Sequence, residues 1–308
     1  MKKFLLTGIL TTALLINNST DAARYFTQGD KLGSSTPYGD NVKIGKYVQA
    51  DDAKIYYEVY GAGEPILILH GGGVGTPYEL GKILDELKKS HKLIVMSTRG
   101  HGRSEIGHTP LTYKQKAEDA LAVLDDLKIS APVQILGFSD GAYTAYEIAA
   151  LYPEKVERIM AIGAGTLKAG YFPSDMSLAD LEKFDKRFID GQKKIRPEPE
   201  RWQEFLSDYM KFWSSQSVGA ETFGKIKCPV LLIVGDEDDH APVITVLAAH
   251  QMIENSRLCV VPKAWHTAFL DNYDVTSTAI FQFVNTPLEN LKPSKKVDYN
   301  SKVLEVVK

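Results

Sequence analysis

The sequence predicts an α/β fold with a mostly parallel central sheet, helices on both faces of that sheet and an inserted helical cap. Short apolar runs alternate with helix-patterned segments on either side of residues 163–225, which is typical of parallel strands joined by crossover helices. Residues 163–225 themselves have aromatic-rich helical patterns and no strand pattern. The predicted organisation is a signal peptide (1–23), a core (24–162 and 226–285), a cap (163–225) and a C-terminal tail (286–308).

The composition is ordinary for a soluble globular protein, with 44% apolar and 24% charged residues in a chain of 308. The formal net charge is −3, and no dense run of Lys and Arg precedes the tail, which argues against nucleic acid as a partner. An exported protein could pair the two cysteines, Cys228 and Cys259. Both lie in or beside predicted strands, where buried free thiols are more common, so we expect free thiols.

Residues 1–23 have the features of a secretory signal peptide. Lys2 and Lys3 are followed by a mostly apolar stretch that is too short to span a bilayer, and Ala22 and Ala23 are small residues suited to cleavage. An anchoring helix or a buried N-terminal helix is the alternative. The expected location is periplasmic or secreted, without stable membrane insertion, and residues 24–41 are expected to be loosely ordered.

The chain after this segment follows a regular order of elements. Asp51 and Asp52 predict the turn of an initial hairpin, and Thr112 is the expected N-cap of a helix. The continuously apolar run 65–69 suits a central strand that is covered on both faces. The predicted strands are 43–50, 53–60, 65–69, 91–97, 133–137, 158–162, 229–234 and 258–261. The predicted helices are 78–89, 112–127, 142–150, 178–191, 200–213, 242–252 and 275–284.

The pentapeptide Gly-Phe-Ser-Asp-Gly at residues 137–141 lies between a predicted strand and a predicted helix. This is the context of a nucleophile elbow, in which Ser139 occupies a strained turn at a helix N-terminus. A Gly-Ser turn of no chemical meaning is the alternative, and the flanking elements favour the nucleophile. Earlier in the chain, a buried strand ends in His70 and three glycines, whose unshielded amides are what an oxyanion hole needs.

A serine nucleophile needs a base, and the base needs an acid to orient it. Such partners are expected just after later strands, because ligands bind at the carboxyl ends of the strands in open α/β sheets. The turn 235–240 is crowded with carboxylates, and His266 follows the last predicted strand. The order Ser, Asp, His is the one that this architecture uses.

With these motifs, the chain resembles the α/β-hydrolase-fold enzymes over roughly residues 46–285. The resemblance implies Ser139 as nucleophile, His266 as base and Asp238, three residues after Gly235, as acid, with Asp236 and Asp239 as fallback candidates. It also implies an oxyanion hole formed by the amides of Gly72 and Asp140. Trp265 stands where the family usually has glycine. The matching segments are 70–73, 99–104, 137–141, 235–238 and 266–270.

The Ser-Asp-Gly pattern is similar to the biphenyl-hydrolase-like and valacyclovirase-type branch, although Ala142 departs from that branch's second glycine. In that branch the Asp after the serine can meet a substrate amine, so we expect Asp140 to favour cationic substrates. Relatives with an alkyl-enzyme ester, the haloalkane dehalogenases and epoxide hydrolases, have Asp in place of the serine and are excluded.

The cap is rich in aromatic residues, which we expect to divide between the cap core and the pocket. The predicted substrate-binding residues are Gly73, Asp140, Trp202, Trp213 and Trp265. Of the other histidines, His70 is expected to pack the loop 70–73, which carries Gly72 and is called the oxyanion loop. His101, His108 and His240 could approach the site, but no pair has convincing metal-ligand spacing. We therefore expect no metal and no cofactor.

The expected function is a secreted carboxylic-ester hydrolase that acts through an acyl-enzyme on a bulky small molecule. The substrate range includes amine-bearing esters and macrolide-type lactones. A C–C bond hydrolase with the same three residues is one alternative. A ligand-binding protein on this scaffold is the other, although binding alone does not need an activated nucleophile. The sequence leaves the oligomeric state open.

Overall fold

The computed structural model describes residues 22–28, 33–293 and 296. Most of the predicted signal peptide and most of the predicted tail therefore lie outside the described residues. Within the described part, the elements follow the predicted alternation of strands and helices. The strands are β1 (Lys46–Ala50), β2 (Ala53–Tyr60), β3 (Pro65–Leu69), β4 (Lys92–Met96), β5 (Val133–Phe138), β6 (Val156–Ile162), β7 (Val230–Gly235) and β8 (Ser256–Val261). The α-helices are α1 (Gly81–Leu87), α2 (Tyr113–Asp126), α3 (Asp140–Leu151), α4 (Leu178–Ile195), α5 (Trp202–Ser215), α6 (Ala220–Phe223), α7 (Val243–Met252), α8 (Ala268–Asp271) and α9 (Tyr273–Asn285).

The eight strands form one sheet in the order β1-β2-β4-β3-β5-β6-β7-β8. Strands β1, β2 and β4 pair antiparallel, and every pairing from β4 to β8 is parallel. Apolar clusters cover both faces of the sheet, which is why β3, β5 and β7 are continuous apolar runs. The predicted fold class is confirmed, and the carboxyl ends of β5, β7 and β8 meet at one edge of the sheet.

Local signals in the sequence placed most element boundaries within a few residues. As predicted, Asp51 and Asp52 form the turn of the hairpin between β1 and β2. The Thr112 hydroxyl caps α2, because it accepts from the Gln115 amide at 2.9 Å. The predicted helix 78–89 is instead a 3-10 turn (Pro77–Leu80) that leads into the shorter α1. Cys228 and Cys259 are free thiols, as predicted.

The expectation that residues 24–41 are loosely ordered is wrong for the part that the structure describes. Tyr25 and Tyr38 are at most 2% exposed, and Tyr25 packs against the ring of Tyr78. The Gln192 side chain of α4 donates to the Ala22 carbonyl at 2.9 Å. The buried tyrosines therefore order this segment, although its Gly- and Ser-rich composition favours flexibility.

Helix α4 is kinked at Asp185, whose φ of −153° and ψ of 79° are not helical. The Asp185 carboxylate accepts from the Phe188 amide at 3.0 Å, as an N-cap does, and from the Thr27 amide at 2.9 Å. It also forms an ion pair with Arg24 at 3.0 Å. One buried carboxylate thus caps the second half of α4 and attaches the N-terminal segment to the cap.

The start of the C-terminal tail is docked on the body of the protein. Leu291 is 7% exposed, and its carbonyl accepts from the side chain of Asn255 at 2.6 Å. Across the described residues, no helix combines the length and the apolar character that crossing a membrane requires.

We expect Asp185→Ala to lower the free energy of unfolding by roughly 1–3 kcal/mol, because it removes a helix cap and the ion pair between Asp185 and Arg24. It should also increase proteolytic cleavage between residues 22 and 28. Chemical denaturation and limited proteolysis measure the two effects.

Asp180→Ala is the matched control, since Asp180 lies on the same helix and forms an exposed pair with Lys183. Exposed pairs of this kind are worth roughly 0–1 kcal/mol. Equal losses of stability in the two variants would contradict the role assigned to Asp185.

Candidate active site

The turn after β5 holds Ser139 in a conformation that non-glycine residues rarely adopt, with φ of 51° and ψ of −118°. The Ser139 carbonyl accepts from the amides of Ala142 and Tyr143 at 2.9 and 3.1 Å, which starts α3 directly after the serine. Gly141 permits the close approach, because a Cβ there would lie 2.2 Å from the Leu69 carbonyl oxygen. The strain is characteristic of functional turns, and the predicted elbow geometry is present.

Three side chains from separate loops form one hydrogen-bonded chain. The Ser139 hydroxyl lies 2.9 Å from His266 Nε2. On the opposite side of the ring, His266 Nδ1 lies 2.9 Å from Asp238 Oδ2 and 3.0 Å from Oδ1. Because Asp238 accepts at Nδ1, the proton is assigned to that nitrogen, and Nε2 is left to accept the serine proton. The structure brings together the three residues that the sequence singled out.

The surroundings of Asp238 favour its charged form. Burial acts to raise the pKa of this carboxyl, but the hydrogen bond and the charge interaction with His266 outweigh burial and hold the pKa below its usual value. The amides of Ala241 and His240 also donate to Asp238, at 2.8 and 2.9 Å. Gly163 leaves room for the imidazole, since a Cβ at this position would lie 2.8 Å from His266 Cε1. The fallback candidates Asp236 and Asp239 are exposed. Asp236 accepts from the Ala264 amide and Asp239 pairs with His240, so neither takes the place of Asp238 beside His266.

Gly72 and Asp140, whose amides are the predicted oxyanion donors, both lie at the Ser139 site. Gly72 lines the same cavity as Ser139, and Asp140 is the first residue of α3. Within the described part of the chain, neither amide has a protein acceptor, so both can donate to a ligand. His70 orders the loop that carries Gly72, because its Nε2 accepts from the Thr98 amide at 3.0 Å.

Ser139 and His266 open onto a cavity of about 340 Å³ between the sheet edge, the cap and the N-terminal segment. Gly73 and Trp213 line it, as predicted, and so do the side chains of Phe26, Phe138 and Phe188. A larger cavity of about 670 Å³ lies between the loop 106–112 and the outer side of α5. We place the site in the smaller cavity, because none of Ser139, Asp238 and His266 lines the larger one.

The prediction that the Asp140 side chain meets a substrate amine is wrong. Asp140 is 1% exposed and forms a buried ion pair with Lys116. Its Oδ1 accepts from Trp213 Nε1 at 3.0 Å, and Lys116 also donates to the Tyr209 hydroxyl at 2.8 Å. Burial opposes ionisation of Asp140, but Lys116 outweighs burial and holds the pKa of this carboxyl below its usual value. The carboxylate is therefore already neutralised from within the protein.

The prediction that Trp202 and Trp265 bind substrate is also wrong, since neither lines the Ser139 cavity. Trp202 is 0% exposed in the cap core, where its ring lies 3.8 Å from the Arg196 guanidinium carbon. Trp265 is 55% exposed and does not line the cavity. Helical spacing places Trp202 on the buried face of α5, whereas Trp213 on the same helix reaches the cavity.

His240 was one of several histidines that could approach the site, and it stacks on His266 with ring centroids 4.7 Å apart and planes 20° from parallel. Nitrogen or oxygen atoms of Asp238, His240 and His266 lie within 4.8 Å of one another, so this group could hold a metal ion. Both nitrogens of His266 already bond Ser139 and Asp238. A metal would have to displace one of these partners, so the expectation of no metal stays a prediction.

Sequence reasoning missed two parts of the cavity wall. Residues 24–28 line it from the N-terminal side, and Glu79 lines it from below the oxyanion loop. The Gly71 amide donates to Glu79 Oε1 at 2.7 Å. Burial raises the pKa of Glu79 to about 8, and the Gly71 hydrogen bond only partly offsets this. The available signal was a Glu in the first turn after a glycine-rich loop, but nothing in the sequence shows that it faces inward.

Comparisons with known proteins identify the fold family. The family model of the alpha/beta hydrolase fold matches residues 64–188. A putative carbamate hydrolase, RutD, of Azorhizobium caulinodans is 30% identical over 265 residues, which cover 77% of this chain and 97% of that protein. The serine hydrolase BPHL of Homo sapiens is 24% identical over 279 residues, 85% of this chain and 92% of that protein. A solved esterase from Exiguobacterium antarcticum is similar with a TM-score of 0.63 and 25% identity, over 79% of this chain and 100% of that chain.

We expect Lys116→Met to lower the free energy of unfolding by about 3–5 kcal/mol, because it leaves the Asp140 carboxylate buried without a counter-charge. The double variant Lys116→Met/Asp140→Asn should recover most of that loss, since the amide oxygen can still accept from Trp213. Urea denaturation of the wild type, both single variants and the double variant measures the coupling. A double variant as unstable as Lys116→Met would show that the pair is not the cause.

We expect Glu79→Gln to raise the melting temperature more at about pH 9 than at about pH 5, by a few °C. The pKa of Glu79 rises from 4.5 in the unfolded chain to about 8 in the folded protein. The folded state therefore holds the proton more tightly, and the wild type loses stability as the pH rises through this window. Glu64→Gln, at an exposed turn, is the control. A difference independent of pH would contradict the raised pKa.

Proposed function

Because the chain belongs to the α/β-hydrolase family, we propose that it is a serine hydrolase that cleaves a carboxylic ester or lactone of a bulky small molecule through an acyl-enzyme. The observation that supports this proposal is the continuous hydrogen-bonded chain from Ser139 through His266 to Asp238. A hydroxyl becomes an effective nucleophile only when a positioned base accepts its proton.

In the first step, Ser139 Oγ attacks the substrate carbonyl carbon while His266 Nε2 takes the hydroxyl proton. The carbonyl oxygen becomes an oxyanion, which the amides of Gly72 and Asp140 stabilise. Asp140 begins α3, so the positive end of the helix dipole adds to this stabilisation. Donors that are in place before charge develops need no reorganisation during the reaction.

In the second step, the tetrahedral intermediate collapses and its C–O bond breaks. The leaving alkoxide takes the proton from His266, and the acyl group stays on Ser139 as an ester. A water molecule then gives a proton to His266 and attacks the acyl carbon. The bond between this carbon and Ser139 Oγ breaks, His266 returns the proton to Oγ, and the acid is released. Throughout the cycle, Asp238 keeps the imidazole in one tautomer and stabilises its protonated form.

The lining of the cavity is an argument for a bulky and partly apolar substrate. Phe26, Phe138, Phe188, Trp213 and Leu270 line it, and its volume of about 340 Å³ falls at the small end of the range for drug-sized ligands. Macrolide-type lactones belong to the proposed range if most of the ring stays outside and only the ester enters. The similarity to a serine hydrolase and to an esterase favours this chemistry over a binding role.

We further propose that residues 1–23 are a secretory signal peptide and that the enzyme works in the periplasm or outside the cell. The support is the sequence pattern alone: two lysines, an apolar stretch and small residues before Arg24. Sequencing the N-terminus of the protein recovered from a periplasmic or culture fraction tests this, and an intact Met1 on an active enzyme in the cytoplasm would contradict it.

We expect Asp238→Asn to lower kcat for an activated aryl ester by roughly 10³–10⁴-fold, because the amide would favour the wrong tautomer of His266. Asp239→Asn is the matched control on the next residue. Asp239 pairs with the exposed His240 and not with His266, so its kcat should stay within about threefold of wild type. Equal losses in the two variants would contradict the assignment of the acid.

We expect Ser139→Ala to reduce ester and lactone hydrolysis at least as strongly as Asp238→Asn does. It should also abolish covalent labelling by a fluorophosphonate. A panel of esters and lactones, run beside vinylogous diketones, separates ester hydrolysis from C–C bond hydrolysis. Failure of the wild type to label would overturn the serine mechanism and leave a ligand-binding protein. Turnover of the diketones alone would overturn the ester assignment.

A further inference from the structure

Glu79 is the one carboxylate among the described residues that line the Ser139 cavity. Its Oε1 accepts from the Gly71 amide at 2.7 Å. The described residues offer Oε2 no hydrogen-bond donor, so one carboxylate oxygen remains open to a ligand. A Cβ built on Gly71 would lie 3.0 Å from the Phe138 ring and 3.1 Å from Glu79 Oε1. The carboxylate therefore lies close to the residue that precedes the nucleophile.

No cation of the described residues compensates this carboxylate. Arg24 faces the same cavity but is engaged by Asp185, and Lys116 is engaged by Asp140 behind the cavity wall. The titratable groups that face the cavity with Glu79 are Tyr25, His240 and His266. A buried carboxyl without a counter-charge is costly to ionise. A ligand cation placed beside it would remove that cost.

The rest of the wall suits an organic cation. The rings of Tyr25, Phe138, Phe188 and Trp213 border the cavity, and aromatic faces attract ammonium groups as well as apolar ones. A protonated amine bound here would meet one carboxylate oxygen and several rings, close to the reacting serine. Asp140 cannot supply this contact, because Lys116 already occupies its carboxylate.

We propose that Glu79 binds a cationic amine of the substrate, so that the enzyme selects amine-bearing esters or lactones. This inference rests on the proposed function, and it assigns substrate charge recognition to a residue outside the hydrogen-bonded chain. The contact is an ammonium N–H donating to Glu79 Oε2, while Oε1 keeps its bond to the oxyanion loop.

The first test uses pairs of aryl esters whose acyl chains end in either a dimethylammonium or an isopropyl group, which have nearly the same shape. The length of the acyl chain is varied to find the best reach. The wild type should prefer the cationic ester by about tenfold or more in kcat/KM at that length. Glu79→Gln should bring the ratio close to one. Since the ratio compares two substrates on one enzyme, changes in the oxyanion loop cancel.

Glu64→Gln is the matched control, because it removes the same charge from an exposed turn away from the cavity. It should keep the wild-type ratio. An unchanged ratio in Glu79→Gln, or no preference by the wild type at any chain length, would overturn the inference. Ester hydrolysis itself would still stand in that case, so the two proposals fail separately.

The second test does not depend on turnover. The Ser139→Ala variant is titrated with a dimethylammonium-bearing ester at about pH 7 in two buffers of different ionisation enthalpy. Because Glu79 is largely protonated at this pH, binding of the cation should release close to one proton. The release should disappear in Ser139→Ala/Glu79→Gln. Equal proton release in both variants would overturn the role of Glu79.

Discussion

Ser139 adopts a left-handed backbone conformation, with φ of 51°, and the structure around it is arranged to hold that conformation. Two amides of α3 bond its carbonyl, and Gly141 packs directly on the carbonyl of Leu69 at the end of β3. The turn points the hydroxyl away from the sheet and towards His266. It also leaves the Asp140 amide free to donate. Packing of Gly141 against the end of β3 and the hydrogen bond from the Ser139 amide to the Ile162 carbonyl of β6 hold this strained turn in place. They thereby hold both the proposed nucleophile and the proposed oxyanion donor of Asp140.

A buried ionic cluster connects that turn to the cap. Asp140 begins α3, Lys116 belongs to α2, and Tyr209 and Trp213 belong to α5. The Lys116–Asp140 ion pair joins α2 to α3, and Tyr209 and Trp213 of α5 provide the further hydrogen bonds of these two charges. The cluster is therefore fully satisfied only when α5 packs against it. The same residue therefore contributes its amide to the site and its side chain to the cap. This double use explains why a carboxylate next to the nucleophile does not bind substrate.

The cavity is assembled from parts of the chain that are distant in sequence. The N-terminal segment closes one side through Arg24 and Asp185, the cap supplies Trp213, and the oxyanion loop brings Glu79. Because Arg24 pairs with Asp185 and Lys116 with Asp140, Glu79 has no counter-charge among the described residues, and burial raises its pKa to about 8. These two ion pairs, and not any one motif, thus set the electrostatic character of the cavity.

The sequence by itself determined the alternation of strands and helices, the elbow at Ser139, and the positions of His266 and of a carboxylate-rich turn after later strands. Within that turn, Asp238 was chosen by the resemblance to the α/β-hydrolase family. These features depend on local periodicity, on glycines at tight turns and on the order of loops along a parallel sheet, all of which are visible in a linear chain. Only the tertiary structure decided that Asp140 is paired with Lys116, that Trp202 and Trp265 face away from the cavity, and that the N-terminal segment is packed. The physical reason is that a charged side chain or an aromatic ring could contact many different residues, and the sequence alone does not distinguish among them. Which of them it meets is settled by how separate elements pack.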